Sequence, residues 1–126
     1  MYISKIEIDH FGKWEHETFT FHPNLQVVQG LNESGKTTLR RFIEQMLFDF
    51  KQKKNGVYPY QPIHTNTRGG RMWIEDEGLG ALIIERSAVE SQRKLVLRSA
   101  ETGQELPETM LERVLHELTM TEYHSL

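Results

Sequence analysis

The stretch GLNESGKT, residues 30–37, constrains this chain more than any other feature. It matches the pattern G-x-x-x-x-G-K-[ST], in which a backbone loop surrounds the phosphates of a nucleotide. Gly30 and Gly35 permit backbone angles and a close approach that a Cβ atom would block. The amides of such a loop point inward and form an anion-binding concavity. The spacing therefore predicts a phosphate-binding loop.

A phosphate-binding loop needs a buried strand before it and a helix after it, and the segments on either side of this loop have those patterns. Residues 25–28, Leu-Gln-Val-Val, are a short apolar run typical of a strand buried on both faces. After the loop, apolar residues recur at helical spacing and form one stripe, comprising Leu39, Phe42, Ile43, Met46, Leu47 and Phe50. We expect this stripe to be core. A buried strand, a loop and a helix thus follow one another in the order that phosphate binding needs.

Particular residues have predicted roles in binding ATP with Mg²⁺. A helix that begins near Lys36 would present its N–H groups and the positive end of its dipole to a phosphate. Lys36 would reach the β- and γ-phosphates, and the Thr37 hydroxyl would ligate Mg²⁺. The full set of predicted phosphate-binding residues is Gly30, Asn32, Glu33, Ser34, Gly35, Lys36, Thr37 and Thr38.

The rest of the chain reads as strands and one further helix, so we expect an α/β fold. Residues 2–9 alternate, with Tyr2, Ile6 and Ile8 on one face, and residues 18–21 predict a hairpin partner. Residues 51–70 have neither helical nor strand periodicity, and they predict an irregular loop that is functional or mobile. Strands return at 71–74, 79–85 and 94–99, and Pro107 suits the first turn of a helix whose buried stripe is Leu111, Val114, Leu115 and Leu118.

A complete hydrolytic site is not predicted. Such a site needs a second strand that ends in a carboxylate to hold Mg²⁺ and orient water. Residues 82–85, Leu-Ile-Ile-Glu, have the required apolarity but end in a single glutamate within what reads as an antiparallel meander. We expect Glu85 to form a strand-end ion pair with Arg86 instead.

The charge of the chain is unevenly distributed. The net charge is −3, yet residues 51–71 contain no acidic residue and five basic ones, namely Lys51, Lys53, Lys54, Arg68 and Arg71. This segment is either a solvated loop or a surface that contacts nucleic-acid phosphates. Cysteine is absent, and the six histidines show no zinc-ligand spacing. No apolar run approaches the length of a membrane span, and we expect a cytoplasmic protein.

With these residues placed, the N-terminal half resembles the opening lobe of the SMC-like ATPases, the ABC-type heads of the RecF, RecN, SbcC and SMC group. That group has a first strand I-x-x-I-x-I-x-x-F and a loop V-x-G-x-N-x-x-G-K-[ST]. The equivalents here are Ile3, Ile6, Ile8, Phe11, Val28, Gly30, Asn32, Gly35, Lys36 and Thr37. The Phe-Gly-Lys at 11–13 and the Gly-Gly-Arg at 69–71 are most similar to YhaN-type bacterial members.

The resemblance implies that residues 1–126 are a single N-terminal nucleotide-binding lobe, half of an ATPase head. In the family, a coiled coil and a C-terminal lobe with the Walker B and signature motifs follow. ATP lies between two heads that dimerise, and DNA is held on them. We therefore expect little hydrolysis from this chain alone, a C-terminal lobe of the same or a second head as partner, and nucleotide or DNA contact at Lys13.

Two other functions compete with this interpretation. A P-loop kinase of a small molecule would need phosphate-sensing arginines, for which Arg68 and Arg71 are the candidates. A non-enzymatic interaction module would carry the loop as a vestige. Nucleotide binding and phosphoryl transfer distinguish the three.

Overall fold

A computed structural model describes residues 2–21, 33–48, 62, 65–89 and 92–120. Its elements are β1 (Tyr2–Phe11), β2 (Trp14–Thr20), α1 (Glu33–Phe48), β3 (Thr67–Asp76), β4 (Gly80–Val89), β5 (Gln92–Ser99), β6 (Glu105–Leu106) and α2 (Thr109–Met120). The strands form one sheet in the order β2-β1-β3-β4-β5-β6, and each neighbouring pair is antiparallel. A small antiparallel sheet with two helices is compatible with the predicted α/β lobe. The strand expected at residues 25–28 lies outside the described residues.

The β1–β2 hairpin is confirmed, but β1 is not a simple alternating strand. Its pairing with β3 shifts register between Ile3 and Lys5 and again between Ile8 and His10. Each shift inserts one extra residue, as a β-bulge does, and therefore reverses the alternation of side chains. For this reason Ile3 faces the core with Ile6, Ile8 and Phe11, at spacings of three, two and three residues. The prediction that Tyr2 shares the core-facing side was wrong, because the first shift lies between it and Ile6.

The helix predicted after the glycine-containing loop is α1, and it packs on one face of the sheet. Leu39, Phe42, Ile43, Met46 and Leu47 are all at least 98% buried. The ring of Phe42 meets that of Phe11 edge to face, with centroids 5.2 Å apart. Burial of a side chain of this size stabilises the fold by about 1.5–3 kcal/mol. The helix is buried over more of its circumference than predicted, since Gln45 is only 2% exposed.

The expected irregular segment at 51–70 is shorter than predicted, because β3 begins at Thr67. Gly69 and Gly70 explain why the sequence looked irregular there. A Cβ on Gly70 would lie 2.1 Å from the carbonyl oxygen of Glu7 in β1, and one on Gly69 would lie 2.3 Å from the carbonyl oxygen of Arg86 in β4. Gly69 also has φ +148°, which side chains rarely permit. The two glycines therefore allow the close approach of β3 to both of its neighbours.

The C-terminal third follows the prediction with small differences. The strands expected at 79–85 and 94–99 are β4 and β5, each longer than predicted, and the two-residue β6 was missed. Helix α2 begins two residues after Pro107 and buries Leu111 and Val114. None of the helices in the described ranges is long and apolar enough to cross a membrane.

We expect Gly70→Ala to lower the free energy of unfolding by at least about 2 kcal/mol, because the methyl group would overlap backbone that cannot move freely. Chemical denaturation measures this loss. The matched control is Gly78→Ala, whose Cβ would meet only a carboxylate oxygen of Asp76 at 3.5 Å, and we expect a change within about 0.5 kcal/mol. Equal stabilities of the two variants would contradict the close-approach argument.

Candidate phosphate-binding site

The first turns of α1 contain most of the predicted phosphate-binding residues. The helix begins at Glu33, so Ser34, Gly35 and Lys36 lie in its first turn, and Thr37 and Thr38 begin the second. Lys36 is half-buried, whereas Thr37 is exposed. Gly30 and Asn32 lie outside the described residues. The helix therefore starts within the glycine-lysine-threonine motif.

The groups at this helix end fit a phosphate with a bound Mg²⁺. The N-terminal turn of a helix carries the positive end of the dipole and directs its N–H groups along the axis. Lys36 adds an ammonium group, and the exposed Thr37 adds a hydroxyl oxygen, the hard ligand type that Mg²⁺ prefers. The donors suit an anion and the hydroxyl suits its counter-cation. The donor types at this end of α1 therefore suit both parts of a Mg²⁺–nucleotide.

Glu85, the weak candidate for a metal-binding carboxylate, lies on the other side of the sheet. It pairs in register with Arg71 on one side and Val96 on the other, in a row that faces away from α1. Its carboxylate accepts a hydrogen bond at 2.9 Å from Nε of Arg98. The expected ion pair with Arg86 was wrong, because consecutive residues of a strand point to opposite faces. The sheet thus separates Glu85 from the N-terminus of α1.

Arg86 has a different partner, which the sequence did not reveal. Its side chain reaches the last turn of α1, where Nε donates to the carbonyl oxygen of Met46 at 2.6 Å. Nη2 donates a longer bond, 3.4 Å, to that of Leu47. A combined signal was present in the sequence: α1 has no basic residue in its last turn, and an arginine occupies a core-facing position of a strand.

A charged cluster on the face opposite α1 is centred on Arg71. Its guanidinium donates to both carboxylate oxygens of Asp9, at 2.7 and 3.2 Å, and to Glu7 at 2.9 Å. The hydrogen bond from Arg71, followed by that from Lys5, lowers the pKa of Glu7 below its usual value. Asp9 and then Glu7 raise the pKa of Arg71. These pairs hold β1 to β3 on the side where no helix of the described chain packs.

The other basic residues predicted to contact nucleic acid are in different environments. Lys13 is exposed in the turn between β1 and β2. Arg68 is only 1% exposed, and Arg71 is held by two carboxylates. Lys51, Lys53 and Lys54 lie outside the described residues. Of the three members of this set that the structure describes, only Lys13 is exposed.

Histidine and carboxylate side chains form no metal site within the described ranges. His10 and His16 face each other across the β1–β2 hairpin, with ring centroids 5.2 Å apart and planes inclined by 66°. No group of three or more potential ligands occurs among the residues that the structure describes. The contact of these two rings is a packing interaction within the hairpin.

Comparison with known proteins identifies the family. The profile of the AAA domain family matches residues 1–126. The chain belongs to the AAA domain family. Its similarity to uncharacterized protein YhaN of Bacillus subtilis (strain 168) is 41% identity over 86 residues, 68% of this chain and 8% of YhaN. Its similarity to the DNA replication and repair protein RecF of Bifidobacterium adolescentis is 36% identity over 78 residues, 62% of this chain and 19% of that protein.

These matches confirm the resemblance to SMC-like and RecF-type ATPases that the first strand and the glycine-containing loop suggested. The AAA domain and its relatives support a nucleotide-binding ATPase fragment. The chain spans less than a fifth of the length of either relative. What the whole proteins do is therefore a separate question from what this domain contains.

The lowered pKa of Glu7 makes the free energy of unfolding depend on pH. Because its folded-state pKa is lowered, its contribution is fully present above the ordinary glutamate pKa of about 4.3 and is lost as the pH falls through the lowered value. We expect Glu7→Gln to lower the free energy of unfolding by about 1 kcal/mol or less at pH 7. The difference from wild type should shrink as the pH falls through the lowered pKa of Glu7.

Denaturation at a series of pH values measures this difference. The control is Glu77→Gln, in the exposed β3–β4 turn, for which we expect little change at any pH. A Glu7→Gln deficit that persisted undiminished down to the lowest pH at which the protein stays folded would show that packing, rather than the charge of Glu7, is responsible.

Proposed function

We propose that this AAA domain binds ATP with Mg²⁺ through residues 30–38. One observation carries the proposal: α1 begins at Glu33, inside the G-x-x-x-x-G-K-[ST] motif, so Lys36 lies in the first turn of the helix and Thr37 directly follows it. A phosphate placed beyond this end would meet the positive end of the helix dipole and the free N–H groups of the first turn, to which Lys36 adds an ammonium group. Lys36 binds the β- and γ-phosphates in this proposal, and Thr37 ligates Mg²⁺.

The domain supplies half of an ATPase site. Hydrolysis needs a carboxylate that holds the metal and orients water, and Glu85 faces the opposite side of the sheet from α1. In our proposal the missing groups come from a C-terminal lobe, of the same chain or of a second head, as in SMC-like ATPases. Two such heads would dimerise head to head with ATP between them. Phosphate binding is thus the contribution of this domain, and turnover belongs to the assembled pair.

Nucleotide binding should depend on Lys36. We expect Lys36→Ala to weaken binding of Mg²⁺–ATPγS by at least about tenfold, because a charge-assisted hydrogen bond contributes about 1.5–3 kcal/mol. Isothermal titration measures both affinities. The control is Lys94→Ala, an exposed lysine of β5, for which we expect the wild-type dissociation constant.

Three outcomes would contradict the proposal in different ways. Equal and negligible binding by wild type and Lys36→Ala would favour an interaction module with a vestigial loop. Turnover of ATP by the chain alone, at an ordinary enzymatic rate of about 10 per second, would refute the half-site proposal. Transfer of the phosphoryl group to a nucleoside would indicate a kinase.

Contact with DNA is a further part of the proposal, and it follows from the RecF relative, whose name states a role in DNA replication and repair. The basic residues best suited to it are the exposed Lys13 and the lysines at 51, 53 and 54. Arg68 is buried and Arg71 is held by Glu7 and Asp9, so these two are less suited.

The salt dependence of duplex DNA binding tests this part. Each lost lysine–phosphate contact should reduce the slope of log K against log salt by about 0.9. We expect the triple change of Lys51, Lys53 and Lys54 to alanine to reduce the slope by about 2–3, and Lys13→Ala by about 1. Fluorescence anisotropy with a labelled duplex measures it, and slopes equal to that of Lys94→Ala would exclude these lysines.

A further inference from the structure

Arg86 joins the sheet to the C-terminal end of the helix whose other end carries the candidate phosphate site. The carbonyl groups of Met46 and Leu47 that accept its hydrogen bonds are among the last four of α1. The last four carbonyls of a helix have no partner within the helix and carry the negative end of its dipole. Arg86 therefore places a cation and two directed donors where the helix needs both.

The helix cannot obtain this charge from its own last turn, and the sheet supplies it. No basic residue occurs in the last turn of α1. Arg86 lies opposite Gly70 in the β3–β4 register, on the helix-facing side of the sheet. A strand residue thus provides the cation that the helix itself lacks.

This contact has a property that the apolar packing of α1 lacks. Burial of Phe42, Ile43 and Met46 determines which side of the helix meets the sheet, but hydrophobic attraction is not directional. A hydrogen bond of 2.6 Å from a planar guanidinium group fixes a distance and an angle. A shift of the helix by one residue along its axis moves every carbonyl by about 1.5 Å and would break the bond.

We propose that Arg86 is a positioning residue: by holding the last turn of α1, it fixes the axial position of the helix and hence of its N-terminal end, which carries Lys36 and Thr37. This inference rests on the proposed nucleotide-binding function. Lys36 is ten residues from Met46, which is about 15 Å along a rigid helix, so Arg86 acts without touching the nucleotide. Displacements of about 1 Å are enough to impair a binding geometry.

The test uses Arg86→Met, which keeps an unbranched stem but removes the charge and the donors, and Arg86→Lys, which keeps the charge but not the planar pair of donors. The matched control is Arg98→Met, which removes an arginine from the opposite face of the sheet, where it bonds Glu85. Hydrogen–deuterium exchange of the α1 amides is measured without nucleotide, and the dissociation constant for Mg²⁺–ATPγS is measured separately. Both measurements are made well below the thermal midpoint of each variant.

For Arg86→Met we expect exchange across residues 37–48 to be at least tenfold faster than in wild type, and binding at least fivefold weaker. For Arg86→Lys we expect changes in the same direction and about half as large on a logarithmic scale. Arg98→Met should leave α1 exchange and affinity within twofold of wild type. If Arg86→Met does not fold, Arg86→Lys carries the test.

The inference is overturned if the Arg86 variants lower the thermal midpoint as Arg98→Met does but leave α1 exchange and nucleotide affinity at the wild-type values. It is also overturned if exchange rises equally in the helix and in all strands, since that is a general loss of stability. Failure of wild type to bind nucleotide would refute the proposed function instead. The exchange measurement would then still decide whether Arg86 holds the helix.

Discussion

The packing of α1 on one face of the sheet is the interaction on which the rest of this structure depends. It requires that β1 present its apolar residues to a single side. A regular strand cannot do this with residues spaced three, two and three apart, as Ile3, Ile6, Ile8 and Phe11 are. The two register shifts against β3 each reverse the alternation of side chains, so all four residues face the same side of the sheet. Phe11 consequently reaches Phe42, and the helix is seated with its N-terminus at the candidate phosphate site.

The opposite face of the sheet is held together by charge. Arg71 joins Glu7 and Asp9 of β1, and Arg98 joins Glu85 of β4. These partly exposed ion pairs each contribute little stability, but they engage charges that would otherwise be available to a ligand. The sheet therefore separates two chemical roles. The face that carries α1 positions the helix end proposed to bind phosphate, and the other face stabilises strand pairing.

The sequence predicted the elements that local pattern controls. Five of the six residues predicted for the stripe of α1 lie in the described part and all five are buried, which confirms that part of the prediction; Phe50 lies outside the described residues. The β1–β2 hairpin and the later strands followed from alternation. The failures have a common cause, which is pairing between residues far apart in the chain. Tyr2 was placed on the wrong face because a bulge is defined by the partner strand, and the start of β3 was missed because Gly69 and Gly70 have no propensity for a strand.

By itself, the sequence determined that a glycine-lysine-threonine motif meets the start of an amphipathic helix, because motif spacing and helical periodicity are local properties. Only the tertiary structure decided the partners of the charged side chains. Glu85 pairs with Arg98 rather than with Arg86, and Arg86 holds the far end of α1. The physical reason is that neighbours in a strand face opposite sides of the sheet, so the partner of each is chosen by the layer that packs there. The sheet register thus decided whether a charged side chain contacts α1 or lies on the opposite face of the sheet.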